Sequence, residues 1–419
     1  MPRPRPLVSL STAAAVVLVA GVVVATQAGE ARPGVREAAA VTADPTAHPR
    51  TTSAIDPNLT SAVRSAMSKS TSSSYAVVVD IENVGRVVDI NGARQLLPAS
   101  TEKMFTTLPM LLNRAQQRLV TTIGATSAPA NGVVHGDLVV QASADPSLMG
   151  SHLADLAHQV RAHGVRRVTG RLVLSLGGVS SPRTRPGWKS SYVPWDIGPL
   201  SAFPVHHDTW RTTSGYVAHP TSRNLGLLRS KLADAGVNIQ GVSAVVTRAS
   251  AGTQLASHSS HTIASIVGRT LRISDNFAAE QMLTLEGWSA VHSLESQMGT
   301  GGTATDGSGL SLQDRRSAED EVTLLEYAHT SPAAQLFFDS LPIACRTGTL
   351  EDEFCHTVAA GHVFAKTGTI NHVKTLAGYT TDAKGRWVTF AMLTNGDTYT
   401  SSAMRAMAHV LLLLRHYDQ

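Results

Sequence analysis

A mixed α/β (α+β) fold with more than one lobe is predicted by three observations on the 419-residue chain. Strand-like apolar segments alternate with segments of helical period, the order that gives sheets covered by helices. About 360 residues remain after the N-terminal segments, more than one simple core takes up. Between the patterned regions, from Gly177 to Ser222, the period fades and Pro, Gly, Ser and Trp become frequent.

The chain opens Met-Pro-Arg-Pro-Arg-Pro and then runs apolar from Leu7 to Ala25. A basic start before an apolar run reads as an export signal over residues 1–28, and the run is also long enough for a retained anchor. Residues 29–56, rich in Ala, Thr, Pro and Arg, read as a flexible linker. A net charge of +4 fits a solvated basic surface, with a weak preference for an anionic wall or membrane. No nucleic-acid motif is present.

Tyr75–Asp80 is a buried-strand pattern, Gly85-Arg86 a turn and Val87–Ile90 the returning strand. Leu97-Pro98-Ala99-Ser100-Thr101-Glu102-Lys103 precedes Met104, Phe105, Leu108, Leu111 and Leu112, which fall at helical spacing. Positions three apart share a helix face, so Ser100 and Lys103 are expected side by side in the first turn. A helix N-terminus adds backbone N–H groups beside the hydroxyl. Of 35 basic residues only seven are lysine, and Lys103 alone has a serine three positions before it. Lysine can lose its proton on burial whereas arginine cannot, so the pair suits a nucleophile and its base. Taken alone it also fits a surface lysine on an amphipathic helix.

Gly136–Val140 reads as a strand, Leu153–His163 as a helix, Val168–Leu176 as a strand and Leu225–Ala235 as a helix. His206-His207-Asp208 is the densest histidine cluster. Adjacent histidines diverge on any regular element, and no paired ligand spacing occurs, so no metal is expected. Thr262–Arg272 and Phe277–Leu285 read as helices, which puts Ser274-Asp275-Asn276 in their connection. A hydroxyl there can relay a proton and an amide can hold a peptide carbonyl. Ser274 or Asn276 would serve equally as a helix cap. Lys366-Thr367-Gly368-Thr369 precedes the strand patterns Leu376–Thr380 and Trp387–Leu393. Its lysine supplies charge, its threonines can hold a carboxylate, and its glycine admits substrate backbone to a strand edge. Arg346-Thr347-Gly348-Thr349 looks similar, but the acidic Glu351-Asp352-Glu353 after it fits a loop. Cys345 and Cys355 are the only cysteines, and an exported chain is expected to pair them. Two free buried thiols remain the alternative.

S-x-x-K, S-D-N and K-T-G in this order form a known signature of penicillin-interacting serine enzymes. The chain resembles the D-alanyl-D-alanine carboxypeptidases of peptidase family S13, the penicillin-binding protein 4 type. Leu97–Thr107, Gly136–Leu148 with Asp145-Pro146-Ser147-Leu148, Asp306-Gly307-Ser308-Gly309-Leu310-Ser311 and Gly348-Thr349-Leu350 extend the likeness over roughly residues 75–395. The stretch between the first two motifs is short for that family, and Ala202–Asp208 differs from its asparagine-rich counterpart.

The resemblance implies a β-lactamase/DD-transpeptidase-like lobe from residues 57–124 and 251–419, and an inserted smaller lobe, 125–250, without chemistry of its own. It implies attack by Ser100 on a D-Ala-D-Ala bond of a peptidoglycan stem peptide. Lys103 would be the base, with its pKa lowered by burial and by Lys366. Ser274 would be the proton relay and Asn276 the substrate-amide anchor. Lys366, Thr367, Gly368 and Thr369 would hold the terminal carboxylate, with Asp275 in the binding set. The backbone N–H groups of Ser100 and Thr369 would form the oxyanion hole. No cofactor is implied, β-lactams would be covalent inhibitors, and the site of action would lie outside the cytoplasm. A β-lactamase on the same fold is one alternative, opposed by the insert and the Asp-Gly-Ser-Gly-Leu stretch. A silent wall-binding protein is the other, opposed by the intact motif residues.

Overall fold

The computed structural model describes residues 54–179, 182–208, 211–212, 215–216 and 219–419. The expected export signal and all but the last three linker residues lie outside them. Ala54 and Asp56 already donate backbone bonds to Arg86 and Val87. The Asp56 carboxylate also caps the helix Pro57–Met67, accepting from the N–H groups of Asn58 and Leu59.

The larger lobe is built on a five-stranded antiparallel sheet. Its order is Phe364–Ile370, Val373–Thr381, Trp387–Asn395, Ser74–Ile81, Gly85–Ile90. Strand alternation divides its side chains between two cores. Ala76, Val78, Ala377, Tyr379, Ala391 and Leu393 pack with the helices Glu102–Arg114, Ile263–Arg272 and Ala318–Thr330. Val77, Val79, Leu376, Phe390 and Met392 pack on the other face with Pro57–Met67 and Thr400–Arg415. The apolar run Ala406–Leu414 is therefore core-facing, and among the described residues no helix is long and apolar enough to cross a membrane. Phe364–Ile370 lies at the sheet edge; Pro342 and Ile343 pair with its start at Ala365 and Phe364, and among the described residues no strand pairs with its outer side beyond them.

A second five-stranded sheet has the order Ala244–Val246, Leu172–Ser175, Leu138–Gln141, Arg118–Ala125, Thr253–Thr262. The helices Gly150–Ala162 and Pro220–Asp234 share its core. Its first and last strands in chain order, Arg118–Ala125 and Thr253–Thr262, pair antiparallel and lead directly from one helix of the larger lobe into the next. On sheet membership we propose that the insert spans residues 118–262, wider than the predicted 125–250.

Several elements differ from the sequence reading or were not read from it, and two are instructive. Val168–Leu176 is not one strand: Arg167–Val168 and Leu172–Ser175 belong to different sheets. The break falls at Gly170, where an added Cβ would lie 2.4 Å from the Gly136 carbonyl oxygen, so the two backbones pack too closely for a side chain. Thr253–Thr262 is a ten-residue strand that the sequence reading missed, because Thr-Gln-Leu-Ala-Ser-His-Ser-Ser-His-Thr shows little apolar alternation. Cys345 and Cys355 form a disulfide that closes a loop beside the sheet edge.

Candidate active site

Ser100 sits in a 3₁₀ turn, Ala99–Thr101, that runs straight into the helix Glu102–Arg114. The turn is fixed from several sides. The Thr101 hydroxyl donates to the Glu321 carboxylate at 2.5 Å, and Thr375 donates to the Pro98 carbonyl at 2.8 Å. Arg316 forks onto Glu102 at 2.7 and 2.8 Å and lies 3.9 Å over the Phe105 ring. This buried bidentate pair anchors the first helical turn.

Lys103 is fully buried. Its Nζ donates to Ser100 Oγ at 2.9 Å, to Asn276 Oδ1 at 2.7 Å and to the Ser308 carbonyl at 2.5 Å. All three acceptors are neutral. Burial pushes Lys103 down to about 8, against the pull of Asp306, Glu280, Asp275 and Glu102. Lys366 is also fully buried and donates to Ser274 Oγ at 2.9 Å and to the Thr367 carbonyl at 2.7 Å. Burial, followed by repulsion from Lys103 and Lys374, holds it well below the usual lysine range. Burial is the largest cause of the lowering at both lysines, and the two motif lysines also repel one another.

Ser274 takes a left-handed conformation, φ 57°, which turns the chain between two helices and aims its hydroxyl at Lys366. The cap of the second helix, Asn276–Glu286, is neither of the residues that the sequence offered: Asp275 accepts from the Ala278 N–H at 3.0 Å. Asp275 is further held by Arg269 at 2.9 Å and lies 3.7 Å from His207 Nε2. The Asn276 amide donates to the Asp196 carbonyl at 3.0 Å, which leaves it one N–H to offer.

Gly368 stands where a side chain cannot. A Cβ there would lie 2.0 Å from Thr375 Oγ1, 2.8 Å from the Pro98 oxygen and 3.0 Å from the Ser100 nitrogen. The motif strand and the Ser100 turn therefore touch backbone to backbone. Thr367 and Thr369 point to the opposite face of that strand. Thr367 Oγ1 is 2.7 Å from Thr349 Oγ1, and Thr369 Oγ1 accepts from Lys374 at 2.9 Å. The look-alike Arg346-Thr347-Gly348-Thr349 is a loop with a 3₁₀ turn, as its acidic sequel suggested, yet it brings Thr349 against the true motif.

Several contributors were not singled out as site residues from the sequence. Asp306 is buried and accepts from the N–H groups of Gly309 (2.6 Å) and Ser311 (2.8 Å) and from Trp188 Nε1 (2.6 Å). It thereby shapes the loop whose Ser308 carbonyl meets Lys103. Gly309 has φ 77°, and a Cβ on it would lie 1.8 Å from the Ala99 oxygen. Glu280 braces the same loop through the Gly307 N–H at 2.8 Å and pairs with Arg185 at 2.8 Å. Trp188, Arg185 and Asp196 come from the Pro- and Trp-rich stretch of the insert. That stretch, expected to stay apart from the chemistry, forms one wall of the site. Tyr192, Ile197 and Leu200 pack there with Phe277 and Leu310.

His206 and His207 serve different neighbours: His206 Nε2 accepts from the Gly150 N–H at 3.1 Å, while His207 faces Asp275. Asp208 accepts from Ser201 and from the Asn224 amide, which reaches in from another helix. Among the described residues no three side chains gather as metal ligands.

A profile of the D-Ala-D-Ala carboxypeptidase 3 (S13) family matches residues 59–202 and 202–415. The chain belongs to that family. It is accordingly a serine-type D-alanyl-D-alanine carboxypeptidase. Carboxypeptidase DacB of Mycolicibacterium smegmatis is 32% identical over 369 residues, covering 78% of this chain and 79% of that one. The D-alanyl-D-alanine carboxypeptidase of Actinomadura sp. strain R39 is 27% identical over 420 residues, 78% of each chain. In structure, this S13 peptidase is similar to penicillin binding protein 4 of Haemophilus influenzae, with a TM-score of 0.79. That match has 20% identity and covers 85% of this chain and 99% of the other, and it establishes the shared fold.

Proposed function

We propose that this S13 peptidase cleaves the D-Ala-D-Ala bond of peptidoglycan stem peptides through an acyl-enzyme on Ser100. The observation that carries this reading is the contact of Lys103 Nζ with Ser100 Oγ at 2.9 Å, made by a buried lysine with neutral partners. With its pKa near 8, a useful fraction of Lys103 is neutral at neutral pH and accepts the serine proton. Ser100 Oγ then bonds to the carbonyl carbon, and the oxyanion is met by the backbone N–H groups of Ser100 and Thr369. Collapse breaks the C–N bond, and the leaving D-Ala amine receives a proton through Ser274. Water hydrolyses the ester and restores Ser100.

Asn276 spends its Oδ1 on Lys103 and offers its remaining N–H to the substrate amide. Thr367 and Thr369 hold the terminal carboxylate, and its arrival favours the charged form of Lys366. Gly368 allows the close approach to the Ser100 turn. Asp275 acts by positioning, since its carboxylate is bound to the helix start and Arg269. The same steps open a crosslink when the leaving amine belongs to a longer peptide. β-Lactams acylate Ser100 in place of the peptide. Peptidoglycan lies outside the cytoplasm, so the enzyme acts there, delivered by its N-terminal segment as a cleaved signal or an anchor.

The test is release of D-Ala from a peptide ending in D-Ala-D-Ala. Wild type should release it, and Ser100→Ala should not while remaining folded. Undiminished release by Ser100→Ala would overturn the assignment.

A further inference from the structure

We propose that Lys374 is a specificity-determining residue, the outer cation of the substrate-carboxylate clamp, which selects substrates whose leaving residue carries a free carboxylate. The inference rests on the reading of the site given above and deepens it.

Lys374 and Thr369 are direct partners across the antiparallel pair Phe364–Ile370 and Val373–Thr381. Directly opposed residues project on the same face. That face carries Thr367, Thr369 and Lys374, with Thr349 added from the disulfide-closed loop. The Lys374 ammonium donates to Thr369 Oγ1 at 2.9 Å. An oxygen that accepts from Lys374 keeps its own hydrogen free to donate to another acceptor, such as a substrate carboxylate. Lys374 is thus both a charge at the rim and a donor that occupies one side of the Thr369 oxygen.

The rim needs such a charge. Lys366 is bound to Ser274 and to the Thr367 carbonyl, beneath the strand, and two neighbouring lysines oppose its protonation. Lys374 is half-buried, with Glu353 of the disulfide loop as the carboxylate that favours its charged form. Burial works against its charge, yet the position holds a lysine where a threonine or glutamine would complete the hairpin. The backbone at Lys374 is also fixed, its carbonyl accepting from Thr394 Oγ1 at 2.8 Å. Three of the chain's seven lysines, Lys103, Lys366 and Lys374, gather around this one cleft in a protein that otherwise uses arginine.

The experiment compares acylation by benzylpenicillin with acylation by its methyl ester, which removes the carboxylate charge and adds one methyl group, a steric change common to wild type and variants. Second-order rates are read by intact mass for wild type, Lys374→Gln and Lys374→Arg. The acid/ester ratio should fall about tenfold in Lys374→Gln and be largely restored in Lys374→Arg. With a peptide ending in D-Ala-D-Ala, Lys374→Gln should raise KM more than it lowers kcat. An equal loss on acid and ester, with the ratio kept, would overturn the proposal and leave Lys374 a structural residue. Lys374→Met, which keeps the apolar stem, replaces Lys374→Gln if the latter fails to fold, with the same ratio expected. Failure of wild type to react with either compound would instead overturn the reading of the whole site.

Discussion

Gly368→Ala should disable the enzyme without unfolding it. The added methyl would meet Thr375 Oγ1 at 2.0 Å, the Pro98 oxygen at 2.8 Å and the Ser100 nitrogen at 3.0 Å. Real contacts of this kind open to at least about 3 Å, so something must move by about 1 Å. Rotation of Thr375 would relieve only the shortest contact, and it would break that residue's 2.8 Å bond to the Pro98 carbonyl. The remaining contacts are to backbone, so the motif strand and the Ser100 turn must separate. Overpacking of this kind costs about 1–3 kcal/mol, which the fold tolerates. A misplacement of about 1 Å between reacting groups costs about a hundredfold in rate. Acylation by a fluorescent penicillin, followed in time, should therefore slow about a hundredfold, with a thermal melt only a few degrees lower. A rate within threefold of wild type would show that the contact between strand and turn does not govern the geometry.

The two motif lysines should fail differently. Lys103→Arg cannot give up its proton and should lose about a thousandfold in acylation, whereas Lys366→Arg keeps the charge and should retain part of the rate; equal rates in the two folded variants would refute Lys103 as the base. Glu321 is buried under the Ser100 turn, and burial pushes its carboxyl up to about 8 from the usual 4.5. A carboxyl raised on folding stabilises most below its unfolded pKa and loses that contribution as pH rises through the folded value. Glu321→Gln should therefore raise the melting temperature more at pH 8.5 than at pH 5, and a gain independent of pH would contradict this. Replacing Cys345 and Cys355 by serine should cost about 2–3 kcal/mol in urea unfolding and raise KM through the loop that carries Thr349; unchanged KM would detach the loop from the clamp. Removal of residues 1–53 should leave a full melt, whereas removal through Asp56 should cost about 1 kcal/mol with the lost cap; equal melts would contradict the role of Asp56.

The pairing of Ser100 with Lys103 was legible because it is local: helical period alone puts positions three apart on one face. The neighbours of the motif strand were legible from their apolar runs, whereas Phe364–Ile370 itself, with Lys-Thr-Gly-Thr at its centre, has none and was marked only by its motif. The helix caps were readable only as candidates, and the structure chose Asp275 because Ser274 is needed in a left-handed turn. Asp306 could be quoted as a landmark, but not as the residue that folds a loop onto Lys103, since those partners are about two hundred positions apart in the chain. Thr349 was set aside on sound local grounds and still reached the site through tertiary packing. Trp188, Arg185 and Asp196 lie where the sequence has no period, so their role as a wall could not be read from pattern. The one available signal was composition, since tryptophan, proline and glycine cluster there without a strand or helix to explain them.

The central claim is that Ser100 is the nucleophile. After brief exposure to benzylpenicillin, the protein should gain the mass of one penicilloyl group, and peptide mapping should place it on the segment containing Ser100. An adduct on any other residue, or an undiminished adduct in Ser100→Ala, would contradict the account.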